Sequence, residues 1–241
     1  SIIEIRDSEN NLIDRFSGTY KKGFNRVSWG LTQNLSVNKI AGASGFNYPL
    51  RINVPPGEYS FNVFTVENDN ISKIGSKFFN VKKINDSYLD NPQKELDVNS
   101  FYSEILNVVD NYKKHNHTLT KIKDGVKVLL GIMNTSAVDN INDKYNQYIK
   151  LRELINSCEV YLNGNKSKKD IREKDFQSIG DRLSVAIRGV NSSYGFTKMH
   201  KESLGKAAIL VEKYGEMLDN IKKEYVVLKN SFNQEIIDSV D

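Results

Sequence analysis

The most restrictive feature of this chain is a long C-terminal segment with apolar residues at alternating spacings of three and four. The residues are Leu204, Ala207, Val211, Tyr214, Leu218, Ile221, Tyr225, Leu228 and Phe232. This heptad pattern predicts one helix with a continuous apolar seam, which other helices must cover. We favour an antiparallel bundle within the chain over an intermolecular coiled coil, because three more amphipathic segments precede it.

Those three segments share the helical period. The first begins near Asp97, Asn99 or Ser100, residue types that cap helices, and reaches about Met133 with a weaker stripe near His115. The second covers about 138–162, with Cys158 on its inner face, and the third covers about 168–190. We expect Ile171, Ile179, Leu183 and Ile187 to form the inner face of the third helix.

Residues 1–83 instead alternate with a period of two, which predicts short strands. Alternating runs lie near residues 3–6, 24–29, 59–65 and 71–81, and Gly, Pro and Asn separate them. The expected sandwich core is Ile3, Ile5, Val27, Trp29, Tyr59, Phe61 and Val63. Residues 30–54 read as a long irregular insertion whose aromatics, Phe46 and Tyr48, either pack on the sandwich or bind a ligand, and we favour packing.

The fold class predicted from these periods is α+β in two parts. An N-terminal β-sandwich occupies 1–83, a linker around Asp90-Asn91-Pro92 occupies 84–97, and an antiparallel four-helix bundle occupies 98–241. Because a strand pattern starts at the second residue, we expect the natural protein to begin further upstream. No run of 18 apolar residues occurs, so no membrane span is expected.

Three motifs carry a family resemblance in the first part. They are Ile3-Glu4-Ile5-Arg6-Asp7, then Gly23-Phe24-Asn25-Arg26-Val27-Ser28-Trp29, then Pro55-Pro56-Gly57-Glu58-Tyr59. In this order they resemble the Ig-like sandwich module of the bacterial flagellar hook-capping protein, although Gly30 stands where that module has Asp. A helical bundle after such a sandwich is similar to the C-terminal region of large exported Bacteroidetes proteins with sortilin-type or neuraminidase-repeat β-propellers.

The resemblance implies export to the periplasm or cell surface, and it implies an upstream β-propeller or another cell-envelope protein as the partner. It transfers no catalytic residue onto this chain. The residues alone agree: Cys158 lies on a helical inner face, and Gly42-Ala43-Ser44-Gly45 lacks the lysine of a phosphate-binding loop. We therefore expect no enzyme activity, no metal site and no cofactor.

The charge pattern offers one candidate contact surface. Lys168, Lys169 and Arg172 form a basic cluster near the start of the third predicted helix, and they either face an anionic partner or are simply solvated. The net charge of +4 is spread along the chain, which does not favour nucleic-acid binding.

The sequence favours a non-catalytic structural and protein-interaction module. The alternative is a carbohydrate-binding accessory module of a glycoside-hydrolase-like protein, with Trp29, Phe46 or Tyr48 as stacking platforms. The alternating position of Trp29 favours a core role for that side chain over exposure to a sugar.

Overall fold

The computed structural model describes residues 1–18, 23–35, 51–67, 70–82, 92–135, 140–171, 173, 175–192 and 195–232. The chain is α+β, with antiparallel strands first and helices after them. It divides into two compact units. The first, the sheet unit, holds the described residues of Ser1–Ser36, Tyr48–Ser103 and Ile187–Phe196, and the second, the helical unit, holds those of Glu104–Ala186 and Thr197–Asp241.

The sheet unit contains two antiparallel sheets. Its strands are β1 (Ile2–Asp7), β2 (Leu12–Ser17), β3 (Thr32–Asn34), β4 (Arg51–Asn53), β5 (Gly57–Glu67) and β6 (Asn70–Val81). The larger sheet has the order β2-β1-β5-β6, and β3 pairs with β4 in the smaller one. The strands predicted near residues 3–6, 59–65 and 71–81 are thereby confirmed.

The strand predicted near residues 24–29 is wrong. The structure places this segment outside both sheets, with Val27 41% exposed and Trp29 half-buried. The chain has positive φ angles at both ends of the segment, 106° at Gly23 and 54° at Leu31, so it enters and leaves through turns. An alternating sequence forms a strand only where a neighbouring strand is available for pairing, and this segment pairs with none of the described strands.

The predicted irregular insertion, residues 30–54, is partly regular. Its two described ends pair as β3 and β4, and Leu35 and Ile52 are almost fully buried there. Phe46 and Tyr48 lie outside the described residues.

The two faces of the larger sheet differ in chemistry. One face carries the apolar core of Ile3, Ile5, Ile13, Val54 and Tyr59. The other face carries a polar row, in which each residue is the register partner of the next across the four strands: Arg15, Glu4, Asn62 and Ser76. Such a division is typical of an antiparallel sheet with one face towards a core.

Glu4 is the centre of that polar row. Its buried carboxylate accepts hydrogen bonds from both Arg6 and Arg15. Burial alone would raise the pKa of the Glu4 carboxyl, but the hydrogen bonds and charges of the two guanidinium groups outweigh burial and lower that pKa below its usual value. The carboxylate therefore stays ionised at neutral pH and ties β1 to β2.

The helices are α1 (Pro92–Thr135), α2 (Ile141–Asn163), α3 (Lys166–Asp170), α4 (Ile179–Asn191) and α5 (Lys198–Asn230). Helix α1 begins inside the segment predicted as a linker, residues 84–97, and the part of that linker before residue 92 lies outside the described residues. Pro92 suits this position because the first turn of a helix needs no N–H from it.

The third predicted helix is wrong in extent, because the structure divides it into α3 and α4. Ile171, predicted on its inner face, is 72% exposed, whereas Ile179, Leu183 and Ile187 of α4 are buried as predicted. A capping box starts α4: the Ser178 N–H donates to the Asp181 carboxylate (3.0 Å) and the Asp181 N–H donates to the Ser178 hydroxyl (3.3 Å). This Ser-x-x-Asp signal defines a new helix start at that point.

The predicted seam of α5 is buried within the chain. Eight of its nine residues are buried and Tyr225 is half-buried. Two contacts on each side show that α2 runs antiparallel to both long helices. Lys123 and Asn134 of α1 contact Glu159 and Tyr145 of α2, and Glu224 of α5 and Phe232 after it contact Lys150 and Lys144 of α2.

Helices α1 and α5 run parallel to each other and approach closely at two glycines. The Tyr112 and Tyr214 rings lie 6.4 Å apart, and further along, Tyr225 packs directly over Gly125. At Gly215 an added methyl carbon would sit 3.0 Å from the His115 ring. Both glycines therefore provide the room that aromatic side chains of the opposite helix occupy.

Candidate functional site

A cleft of about 540 Å³ opens on the apolar face of the larger sheet. The side chains that line it come from β1 and the residue before it, from β2, β5 and β6, and from the segment before β3. They are Ser1, Ile3, Ile5, Phe16, Asn25, Val27, Trp29, Phe61, Val63, Ile74 and Phe79. Its volume lies in the range of small-ligand and side-chain binding sites.

Strand register builds the floor of this cleft. Ile3 pairs with Val63 and Ile5 with Phe61, so four apolar side chains point to the same face. On β6 the register shifts: Val63 pairs with Gly75, and the next residue of β5, Phe64, pairs with Lys73. Ile74 is thus the extra residue of a β-bulge. Bulges commonly redirect a side chain, and the side chain of Ile74 lines the cleft.

Trp29 forms a fixed wall of the cleft. Its ring lies 5.8 Å from Tyr59 and 6.0 Å from Phe79, the latter in an edge-on arrangement. Its indole N–H donates a hydrogen bond of 3.0 Å to the carbonyl oxygen of Thr32. Since its one polar atom is satisfied on the protein side, the half-buried ring presents only apolar surface to the cleft.

The polar groups of the lining are few and already engaged. The Ser1 amino group and hydroxyl both donate to the carbonyl oxygen of Gly18, and the Asn25 side-chain amide donates to the carbonyl oxygen of Gly23. No carboxylate, imidazole or thiol is among the described lining residues. The arrangement suits the burial of apolar groups from a ligand.

The sheet unit also includes residues from the first part of α1, the end of α4 and the loop after α4. The Asn191 side chain accepts from the Asn53 N–H (2.8 Å) and donates to the Arg51 carbonyl (2.9 Å), so it pairs with the backbone of β4 as another strand would. The Phe101 ring lies 4.5 Å from the Phe196 ring. Sequence reasoning missed these contacts because they join residues far apart in the chain.

Of the three residues in the predicted basic cluster, the structure describes the side chain of Lys168 alone. Lys168 lies in α3, where its N–H bonds to the Asn165 side chain (3.4 Å) and its ammonium lies 3.7 Å from Glu173. Lys169 belongs to the same short helix, but its side chain, like the whole of Arg172, lies outside the described residues. An acidic partner already faces the one described side chain of the cluster.

The nucleophile and base candidates have structural roles. Cys158 is fully buried, and burial, with the charge of Glu159, raises the pKa of its thiol to about 12. His200 closes a capping box at the start of α5, where its Nδ1 accepts the Thr197 N–H at 2.9 Å. Among the described residues no group of three or more potential metal ligands occurs.

His115 predicts a pH dependence of stability. Burial lowers its pKa, and Lys222 and Lys114 lower it further, while Asp219 acts in the opposite direction. The unfolded chain therefore binds more protons at this site than the folded chain below the ordinary histidine pKa, so acidification favours unfolding. We expect the free energy of unfolding to fall as the pH drops from about 7.5 to about 5.5, around the ordinary pKa of histidine.

Urea unfolding of His115→Gln at both pH values checks this, with His117→Gln, an exposed neighbour, as the matched control. The pH dependence should shrink in the first variant and persist in the second. Equal pH dependence in parent and His115→Gln would show that this ring is not responsible.

No family model, curated protein or solved structure matches this chain. Within the described part of the chain, none of the helices combines the length and the apolar character that crossing a membrane requires.

The cleft on the larger sheet is the strongest candidate site in the described part of the chain. Six of its lining residues belong to the core expected from the sequence, but the sequence did not predict a cleft, nor a place in its lining for Phe16, Ile74 and Phe79.

Proposed function

We propose that this chain is a non-catalytic protein-interaction module of an exported bacterial protein. In this proposal the two sheets form an Ig-like sandwich and the helices form an antiparallel four-helix bundle. The partner is an upstream β-propeller of the same polypeptide or another cell-envelope protein. The order of the three sequence motifs in the first 83 residues supports the export context and the Ig-like assignment.

The cleft is the single observation that carries the interaction role. It combines aliphatic side chains with four aromatic rings, and its wall residue Trp29 is held in place by ring contacts and a hydrogen bond. Protein interfaces use such apolar sites to take up anchor side chains, since burial of each anchor removes apolar surface from water.

A carbohydrate-binding role is supported by the same aromatic wall but lacks the polar groups that orient a sugar. Hydroxyl-rich ligands need several converging donors and acceptors. The described lining offers Ser1 and Asn25, whose hydrogen bonds go to the backbone of the chain itself. The cleft therefore favours a protein ligand over a glycan.

Trp29→Ala tests the proposal. Because Trp29 is half-buried, we expect a loss of about 2–3 kcal/mol in stability, below the 3–5 kcal/mol of a fully buried aromatic residue. The fold should survive and binding should not. Peptides selected on the parent chain from a random display library should lose affinity for Trp29→Ala and keep it for Phe24→Ala, a fully exposed aromatic outside the lining.

The same two variants and the parent are applied to a glycan array. Glycan binding that requires Trp29, with no peptide selected, would identify a carbohydrate module. Failure of both libraries to yield a ligand that depends on Trp29 would contradict the cleft as a binding site.

A further inference from the structure

Strand β6, one of the two edge strands of the larger sheet, is long and mostly exposed. Strand β6 has 12 residues and pairs with β5, and no other described strand lies along it. Nine of its residues are exposed, including Ile71, Ile74 and Phe78. A long edge strand leaves a row of backbone N–H and C=O groups that can pair with an added strand.

The charge of this edge has one sign. Lys73 and Lys77 are exposed on β6, Lys82 follows it, and residues 70–82 contain no Asp or Glu. The neighbouring β5 has two acidic residues in its sequence, Glu58 and Glu67, one near each end. Lysines also protect edges from aggregation, but protection does not account for three large apolar side chains exposed on the same strand.

We infer that β6 is the docking edge for an extended, acidic segment of a partner protein, which adds to the sheet as a further antiparallel or parallel strand. This inference rests on the proposed function and names the chemistry of its partner. An added strand would continue the apolar face beyond Ile74 and Phe79, which line the cleft on its β6 side. Lys77 pairs with Phe61 and shares the cleft face with Phe79, whereas Lys73 pairs with Phe64 on the opposite face. The added strand would therefore place apolar and acidic side chains together on the cleft face and an acidic side chain near Lys73 on the other face.

A second copy of this chain fits the edge less well. Pairing of β6 with β6 of another copy would bring two sets of lysines together, and like charges on adjacent strands oppose pairing. An acidic strand has complementary charge and the same backbone hydrogen-bonding capacity. The partner segment is therefore expected to carry both acidic and apolar residues on each face of the added strand.

The test uses the whole chain and a fluorescent peptide as long as β6 with the repeat Glu-Glu-Val-Val, which places both residue types on each face of a strand. We expect the peptide to bind at neutral pH, to protect residues 70–82 from hydrogen exchange, and to change the fluorescence of Trp29, the single tryptophan. The same peptide N-methylated at alternate residues cannot donate along one edge and should not bind. Binding should also weaken as salt is raised.

Reversing the charge of the β6 lysines tests whether the peptide binds at this edge. Lys73→Glu/Lys77→Glu should weaken binding about tenfold, while Lys206→Glu/Lys213→Glu, two exposed lysines of α5, should bind like the parent. Circular dichroism verifies that both double variants fold, and Lys73→Gln/Lys77→Gln should give an intermediate loss.

Three results would overturn the inference: equal weakening by both double variants, undiminished binding of the methylated peptide, or exchange protection away from β6. A parent dimer in sedimentation that protects residues 70–82 without peptide would identify a second copy as the occupant. If library peptides bind through Trp29 while the Glu-Val peptide does not, the proposed function stands and the β6 inference fails. If neither kind of peptide binds, both fail.

Discussion

Leu218→Asp is expected to unfold the helical unit. The Leu218 side chain is fully buried in the middle of the α5 seam, between Tyr214 and Ile221, which are also buried. An aspartate there would place an ionised or newly protonated carboxyl among apolar side chains without a partner, at a cost of several kcal/mol, on the order of 4 or more. That is comparable to the whole stability of many domains.

The matched control is Ile209→Asp on the same helix, where the side chain is 56% exposed and a carboxylate remains hydrated. Thermal and urea unfolding followed by circular dichroism should show a cooperative transition for the control and little folded helix for Leu218→Asp. Sedimentation of the parent adds a second check. A concentration-dependent dimer that Leu218→Asp converts to a folded monomer would show that the seam covers a partner chain instead.

Phe101→Ala should destabilise the sheet unit by about 3–5 kcal/mol, the usual loss for a fully buried aromatic residue. Phe101 lies on α1, is 1% exposed and packs on the Phe196 ring. Its removal leaves a cavity beside the Phe196 ring.

Phe78→Ala is the control, since it makes the same chemical change in the same unit at a side chain that is 68% exposed. Hydrogen exchange of the β1 and β5 amides measures the effect locally. Protection should fall in Phe101→Ala and remain in Phe78→Ala. Unchanged protection in both variants would mean that the Phe101 side chain does not contribute to the stability of the sheets.

Local patterns in the sequence were sufficient for several elements. Alternation predicted the strands near residues 3–6, 59–65 and 71–81, and the heptad spacing predicted α5 because a seam of nine apolar residues permits few other structures. The segment at 24–29 also alternates, but alternation alone does not supply a pairing strand, so the same signal failed there. The third predicted helix is divided at one capping box, formed by Ser178 and Asp181. The spacing of apolar residues on both sides of this box predicted a single helix, and the capping signal was missed.

The cleft was not predicted from the sequence. Trp29 and Phe61 were identified as apolar positions, but their partial exposure depends on the packing around them, which no periodicity encodes. The direction of Ile74 depends on a bulge opposite Val63 and Phe64, and a bulge leaves no clear pattern in one sequence. The Asn191 contacts with β4 arise from tertiary structure alone.

The pairing of Asn191 with β4 has a consequence for synthesis. Its two hydrogen bonds join residues 138 and 140 positions apart, and residues 187–196 belong to the sheet unit. The ribosome releases the strands long before it releases this segment, so a nascent chain ending at residue 83 lacks Phe101, Asn191 and Phe196. Closing so long a loop slows folding. The sheet unit is therefore complete only after most of the chain has been made, and until then β6 and its apolar side chains are open to aggregation.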